Sequence, residues 1–530
     1  MQRRNFLKLG GAALGSAAIG RPALVRAETA STLRFVPYSD LAILDPIIST
    51  NYVTRCFAQV VFDTLYGMDE QLRAQPQMVA DHTVENDGKL WKLTLRDGLV
   101  FHDGTPVLAR DVVASLTRWG KRDALGSALF AATDECSAPS DKIVQFRLSR
   151  PFPMLPEALG KPTSFIPVIM PERLAQASPF TPVTEVIGSG PYQFMPGERV
   201  PGSLNVFKRF ERYKPRDSGM PSFTAGPRIA YFERIEWRTM PDGGTASAAL
   251  RQGEIDWWEQ PNIDLMPLLA KDRNIKVDVV ETRGLIGQIR LNHLLPPFDN
   301  PAICHALLGA IDQNQMMEAV AGGESSVKRG PVGVFAAGSP SDSTAGMEVL
   351  TGKRDLGKVK RDLEAAGYKG EKVVLLSGTD VPRINAICEV MADTCRQIGM
   401  NIDYVATDWG TVNQRMLSQK PVDQGGWNMF GIFSGGLDHI SPAYHNAIRG
   451  NGVKGVPMWT KDDMLEDLRS AWFVAQPGEA QNTIAAKIQA RVFEIGAFLP
   501  VGQFFPPTAY RKDLTNMLSG LPLFTNVRRG

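Results

Sequence analysis

Cysteine is nearly missing from this chain. Five occur in 530 residues, at Cys56, Cys136, Cys304, Cys388 and Cys395. No two form a C-x-x-C pair, which excludes the common zinc ribbons and dithiol redox sites. The odd count leaves at least one thiol unpaired within a monomer. Cys388 and Cys395 are seven apart on a predicted helix, too far for a bridge if that helix is straight. The cysteines read mostly as small buried hydrophobes. Histidine is also scarce, at six residues. His439 and His445, near Asp438, lack the spacing of one helix face and read as scattered surface histidines rather than a metal site. There is no G-x-S-x-G elbow, no H-E-x-x-H and no G-x-x-x-x-G-K-[ST], so the usual hydrolase, metalloprotease and phosphate-loop signatures are absent. Gly450-Asn451-Gly452-Val453-Lys454-Gly455 does spell G-x-G-x-x-G. No strand precedes it and Pro457 blocks a following helix, so it reads as a loop. The paired acids Asp462-Asp463 fit a polar helix start better than acid–base chemistry.

Net charge is also lacking. Lysine and arginine total 58 against 56 acidic residues, a formal +2. Five cations, Arg3, Arg4, Lys8, Arg21 and Arg26, fall in an N-terminal leader, and its removal leaves −3. No basic field remains for nucleic acid or an anionic membrane. No apolar run approaches the roughly 20 residues that a membrane span needs.

The leader itself is informative. Gln2-Arg3-Arg4-Asn5-Phe6-Leu7-Lys8 is a twin-arginine export motif, followed by a Gly/Ala-rich run to Gly20. Val25-Arg26-Ala27 fits a small-x-Ala cleavage site, with a mature start near Glu28. No cysteine lies near that point to carry a lipid anchor. The remaining chain is long enough for two or three domains.

The segment from Leu90 to Trp119 organises the reading. Trp91, Leu93 and Leu95 alternate with Lys92, Thr94 and Arg96, the period of a half-buried strand. Asp97-Gly98 and His102-Asp103-Gly104 turn the chain. Asp111 opens a helix with Val112, Val113, Leu116 and Trp119 on one face. Elsewhere Leu33–Val36 reads as a first strand whose exit loop is Pro37-Tyr38-Ser39-Asp40, and residues 52–66 read as a helix. Val373–Leu376, Ile384–Ile398 and Ile402–Val405 give strand, helix, strand, the order of a parallel α/β sheet.

The string Leu95–Arg118, LRDGLVFHDGTPVLARDVVASLTR, resembles the signature of the large extracytoplasmic solute-binding proteins of ABC importers, the peptide/nickel/opine-binding family (family 5). Further elements resemble that family: Leu65-Tyr66-Gly67-Met68-Asp69, Gly188-Ser189-Gly190-Pro191-Tyr192, Gly253-Glu254-Ile255-Asp256, and Pro297-Phe298 with Asp312. The resemblance implies an α/β fold of the large type II periplasmic-binding-protein kind, two lobes with an extra inserted domain. It divides the chain into a signal peptide (1–27), a first part of lobe one (28–54), the insertion (55–186), a second part of lobe one (187–288), lobe two (289–495) and a return to lobe one (496–530). It implies a periplasmic monomer that captures a peptide or other small polar solute and delivers it to the membrane permease subunits. No cofactor, metal, nucleic acid or bond chemistry is expected. The alternatives are an exported hydrolase with an unrecognised site and a receptor subunit that presents ligand to a sensor.

Two stretches suit a cleft that wraps an extended polar ligand. They are residues 407–415, with Trp409 and Arg415, and residues 425–438, with Trp427, Phe433, Ser434, Gly435 and Asp438. Flat apolar walls and a few oriented donors are what such a cleft needs. Trp409, Trp427 and Phe433 are candidate walls, with Trp258 opposing them from lobe one. Arg415 is a candidate carboxylate clamp and Asp438 a candidate acceptor for an amine. Gly435-Gly436 would let backbone amides approach closely. Tyr38, Ser39, Asp40 and Gln260 complete the set, placed at strand exits where α/β lobes bind ligands. Taken singly, each aromatic reads as core; the cluster reads as a cleft. Peptide binders of the family carry a Trp-x-x-Asp-type element for the ligand's amino terminus. Here Ile432-Phe433-Ser434-Gly435-Gly436 has no acid until Asp438, which argues against an unmodified dipeptide.

Overall fold

The computed structural model describes residues 31–530. The leader and its cleavage site lie outside the described residues. No helix among the described residues is long and apolar enough to cross a membrane.

Lobe one is built on a seven-stranded sheet. Across it run Ile275–Asp278, Thr508–Arg511, Trp257–Trp258, Thr32–Val36, Arg234–Arg238, Leu204–Arg209 and Tyr192–Phe194. Thr32–Val36 is parallel to both its neighbours, and the remaining pairs are antiparallel. Both faces are covered, and Leu33, Phe35 and Val36 of the central strand are buried, while Arg34 lies beside Asp256. On one face Phe35 meets Trp237, Trp257 and Phe524 at ring separations of 5.6, 5.0 and 4.9 Å. The helix Tyr52–Val61 closes this core with Phe57, Val60 and Val61. On the other face Val36 and Trp258 pack with Leu250 of the helix Gly243–Gln252.

The inserted domain holds a four-stranded antiparallel sheet in the order Val79–Glu85, Leu90–Leu95, Ile143–Leu148, Thr133–Ser140. Trp91, Leu93 and Leu95 are buried, as their alternation requires. The following helix, Ala109–Gly120, packs Leu116 and Trp119 into the same core. Its Arg118 meets Asp45 at 2.7 Å in a buried ion pair that ties the insertion to lobe one.

Lobe two has six strands in the order Lys328–Arg329, Phe498–Phe504, Leu285–Leu291, Met429–Gly435, Lys372–Gly378, Asn401–Thr407. Lys372–Gly378 is parallel to Asn401–Thr407 and to Met429–Gly435. The connecting helix, Pro382–Gln397, buries Ile384, Ile387, Cys388, Met391 and Cys395. All five cysteines are free.

Strand pairing moves three boundaries from the sequence expectation. Residue 55 lies inside a helix whose apolar side belongs to lobe one, so the insertion starts after Val61. Leu285 already pairs with Gly435 and Phe504, so lobe two begins there rather than at 289. Phe498–Phe504 is a lobe-two strand, and the return to lobe one comes at Thr508. The chain therefore crosses between lobes at residues 279–284 and 505–507.

Candidate functional site

Strand exits from both sheets converge on the crevice between the lobes. From lobe one come Tyr38, after Thr32–Val36, and Glu259 and Gln260, after Trp257–Trp258. The first turn of the helix Tyr52–Val61 adds Tyr52 and Arg55. Glu281 sits on the first crossing. From lobe two comes Arg383, second residue of the helix Pro382–Gln397. Arg290 is on the strand Leu285–Leu291, and Asp438 is on the turn after Met429–Gly435.

The two sides touch. Arg55 Nη2 donates to Asp438 Oδ2 at 2.9 Å. Arg383 Nη1 lies 3.4 Å from Gln260 Oε1, and its guanidinium stands 6.0 Å over the Tyr38 ring. Beside the crossings the crevice retains a cavity of about 20 Å³, bordered by Tyr52, Trp257, Glu259, Gln260 and Glu281. Larger grooves lie elsewhere, among the lobe-two helices and between the insertion and lobe two. Lobes drawn together leave little space between them, so size alone does not mark the site.

Buried polar atoms without a protein partner mark it instead. Arg55 Nε and Nη1, Arg383 Nε and Glu259 Oε1 are all buried and unpartnered. Such groups cost about 1–3 kcal/mol each when left unmet, and more when charged. Both signs are present: Arg55 and Glu259 on the lobe-one side and Arg383 on the lobe-two side. Glu259 Oε2 accepts from the Tyr38 N–H at 2.8 Å, and Glu281 accepts from the Arg283 N–H at 3.0 Å and the Tyr52 hydroxyl at 3.3 Å. Burial pushes both carboxyls up to about 7, with the Tyr38 N–H and Arg383 opposing it at Glu259. Burial likewise lowers Arg383, and takes Arg290 down to about 10. Burial also works against a charged Asp438, but the Arg55 guanidinium outweighs it and holds that carboxyl below its usual range.

Several residues expected from sequence stand elsewhere. Trp427 is fully buried, with its ring 4.9 Å from Phe430 and 5.6 Å from Trp459, and Nε1 donating to the Met416 carbonyl. It is core, not a wall. Trp258 is also core, because its one-residue offset from Trp257 turns it to the far face of the sheet. Arg415 closes its own loop by donating to the carbonyls of Gly425 and Gly426 at 3.0 and 2.9 Å, so two of its guanidinium nitrogens are committed locally. Asp40 is occupied too, accepting from Gly202 N at 3.2 Å and Thr239 Oγ1 at 3.4 Å. Asp438 is engaged by Arg55 rather than free for an amine. His439 and His445 are not surface residues. Both are buried, with rings 4.2 Å apart, and burial pushes His439 down to about 4.

Others stand near the crevice. Tyr38 is 37% exposed, with Ser39 half-buried beside it, and Gln260 meets Arg383. Gly435 borders the interlobe pair: a Cβ there would be 3.2 Å from Asp438 and 3.3 Å from Arg55. Ser434 precedes it on the strand, half-buried. Trp409 is half-buried at the exit of Asn401–Thr407, its ring against Gly378. Phe433 is half-buried and packs against Gly287.

Tyr52, Arg55, Glu259, Glu281, Arg290 and Arg383 were not singled out by sequence. One signal was available for two of them. Arg55 and Arg383 occupy the first turns of their helices, where the macrodipole disfavours a cation. Glu259 directly follows a strand exit of the kind that delivers ligand groups.

Comparison with known proteins decides the family. The sequence profile of the bacterial extracellular solute-binding proteins, family 5 (middle region), matches residues 73–448, well over half of the chain. The chain belongs to family 5. A family 5 protein is the extracytoplasmic solute-binding component of an ABC importer. A probable peptide ABC transporter periplasmic-binding protein of Sinorhizobium fredii is 33% identical over 100% of this chain and 99% of its own. The glutathione-binding protein of Escherichia coli K12 is 24% identical over 70% of this chain and 69% of its own. The fold is shared with the periplasmic protein AgaA of Agrobacterium tumefaciens R10, solved with agropinic acid, at a TM-score of 0.77 and 19% identity over 94% of this chain and 99% of that one. It is also shared with the dipeptide-binding protein of Pseudoalteromonas, solved with Met-Leu, at a TM-score of 0.76 and 19% identity over 94% of this chain and 100% of that one. Family and relatives are binding proteins, not enzymes.

Proposed function

We propose that this family 5 protein holds a peptide-like zwitterion between its lobes and releases it unchanged to its permease. The supporting observation is the pair of opposite, buried, unpartnered groups at the crevice: Glu259 Oε1 on one side and Arg383 Nε on the other, with Arg55 bonded across the crevice to Asp438. Glu259 takes the ammonium group, since Asp438 is already engaged. Arg383, joined by Arg290 and Arg55, takes the carboxylate end. Tyr38, Ser39, Gln260, Trp409, Phe433, Ser434 and Gly435 border the chain of the solute. The names of the relatives, which speak of peptide, glutathione and Met-Leu, agree with this class.

A pocket for a drug-sized ligand measures some 300–1,000 Å³. The cavity of about 20 Å³ holds little more than a water, so the lobes must part to admit the solute. Solute that bridges both lobes then favours closure by its differential affinity. The reading excludes covalent capture: Cys56, beside Arg55, has its thiol pushed well up by burial and is a poor nucleophile. We extend the reading to the leader: a monomer exported by the twin-arginine route, without cofactor or resident metal.

Native mass spectrometry of freshly purified protein tests this. The expected adduct is a small molecule bearing both amine and carboxylate, released with unaltered mass. Arg383→Ala and Glu259→Gln should each weaken it about tenfold or more, the worth of one charged hydrogen bond. Undiminished retention in both variants, or release of a chemically altered molecule, would overturn the proposal.

A further inference from the structure

A groove of about 770 Å³ lies between the inserted domain and lobe two, apart from the crevice. Arg122 and Arg150 line it from the insertion; Arg449, Lys454, Arg469 and Glu466 line it from lobe two. The one carboxylate is already committed. Glu466 accepts from Arg449 Nε at 2.9 Å, from Arg449 Nη2 at 3.0 Å and from the Gly450 N–H at 2.8 Å. Among the described residues, Arg122, Arg150, Lys454 and Arg469 have no carboxylate in ion-pair range.

Two of these cations are placed at a cost. Arg469 is 4% exposed and spends Nη1 on the carbonyls of Pro442 and His445. Burial and the neighbouring Arg449 push its guanidinium down to about 9, against the opposing pull of Glu466. Arg150 Nη1 is buried without a partner. Arg122 is fixed, its guanidinium 5.4 Å from the Phe165 ring and 5.3 Å from Phe180. The groove thus gathers five cations, Arg122, Arg150, Arg449, Lys454 and Arg469, against the one carboxylate of Glu466; the excess positive charges repel one another, and desolvation strengthens the repulsion. Lys454 belongs to the Gly450–Gly455 loop, whose G-x-G-x-x-G spelling had no nucleotide fold around it. The amides of Gly452 and Gly455 are spent on the carbonyls of Thr460 and Gly452, so the loop offers its lysine rather than its backbone.

We propose that this groove binds a small multivalent phosphate anion, bridging the inserted domain to lobe two. Arginine forks and a lysine ammonium match phosphate oxygens, and five cations against one carboxylate call for more than one negative charge. Any such bridge adds to the contacts that join these two bodies. The site owes nothing to the solute assigned to the crevice.

Calorimetric titration of the full protein with pyrophosphate, at fixed ionic strength, tests the proposal. One anion should bind per protein, more tightly than citrate of equal charge. Arg150→Gln and the exposed Lys454→Gln should each weaken binding about tenfold. Arg383→Ala, in the crevice, should leave pyrophosphate binding as it was. Four results would each overturn the proposal: no binding beyond a sodium chloride control, equal affinity for citrate, indifference to both groove substitutions, or loss in Arg383→Ala.

Discussion

Replacing Asp438 by asparagine removes the charge that holds Arg55 across the crevice. The pair measures 2.9 Å, with side chains only 5% and 17% exposed, so water screens it little. Arg55 keeps its bond to Ser164 Oγ at 2.8 Å, and neither residue belongs to lobe two, although the Ser164 N–H and Oγ also reach Asp438 Oδ1 at 3.5 and 3.4 Å. The loss therefore falls on the closed form, while in the open form both charges are hydrated. A hydrogen bond between charged groups is worth about 1.5–3 kcal/mol. A loss of about 2 kcal/mol shifts the closed-to-open ratio by a factor of roughly 30. Small-angle scattering of D438N should show a larger radius of gyration, and solute should be retained correspondingly less well. Acid should act on the same pair. Arg55 holds the Asp438 carboxyl below its usual range, so its contribution is present above the unfolded carboxyl's pKa of about 3.9. It disappears only as pH falls through the lower folded value. Unchanged scattering and retention in D438N would refute the reasoning.

Glu259 and Glu281 titrate in the opposite sense. Both are raised to about 7, so between about pH 4.5 and 7 the folded protein binds protons that the unfolded chain has released. Their contribution to stability is full below about 4.5 and lost as pH rises through 7. Urea unfolding at pH 5 and pH 8 should show that fall in the native protein and a flatter profile in E259Q/E281Q; equal slopes would contradict it. Trp427→Ala should cost about 3–5 kcal/mol of unfolding free energy, because a fully buried indole leaves a cavity. Tyr38→Ala, at a residue 37% exposed, should cost under about 1 kcal/mol and instead weaken solute retention. Denaturant midpoints together with native mass spectrometry separate the two cases.

The scaffold was readable wherever a single periodicity governed the segment. Leu90–Leu95 alternates because one face meets the core, and Pro382–Gln397 carries an apolar stripe because one side meets the sheet. The site was less readable because both sheets are covered on both faces. Trp257 and Trp258 look equivalent in sequence, yet a one-residue step puts them in separate cores. Trp427 and Arg415 met the chemical requirements of a cleft, but lobe-two packing took the first and a local loop took the second. Arg55 and Asp438 are 383 positions apart, and no local pattern joins them. His439 and His445 are buried by folding that a turn-like spacing does not reveal. Both lobe boundaries fell short for a related reason: Leu285–Leu291 and Phe498–Phe504 pair with each other at the crossings, and pairing is a long-range fact.

A crystal structure of the protein with its co-purified solute tests the central claim most directly. The account predicts an intact molecule between the lobes, its amine within hydrogen-bond distance of Glu259 and its carboxylate within that distance of Arg383. A solute lodged outside the crevice, or one touching neither side chain, would contradict it.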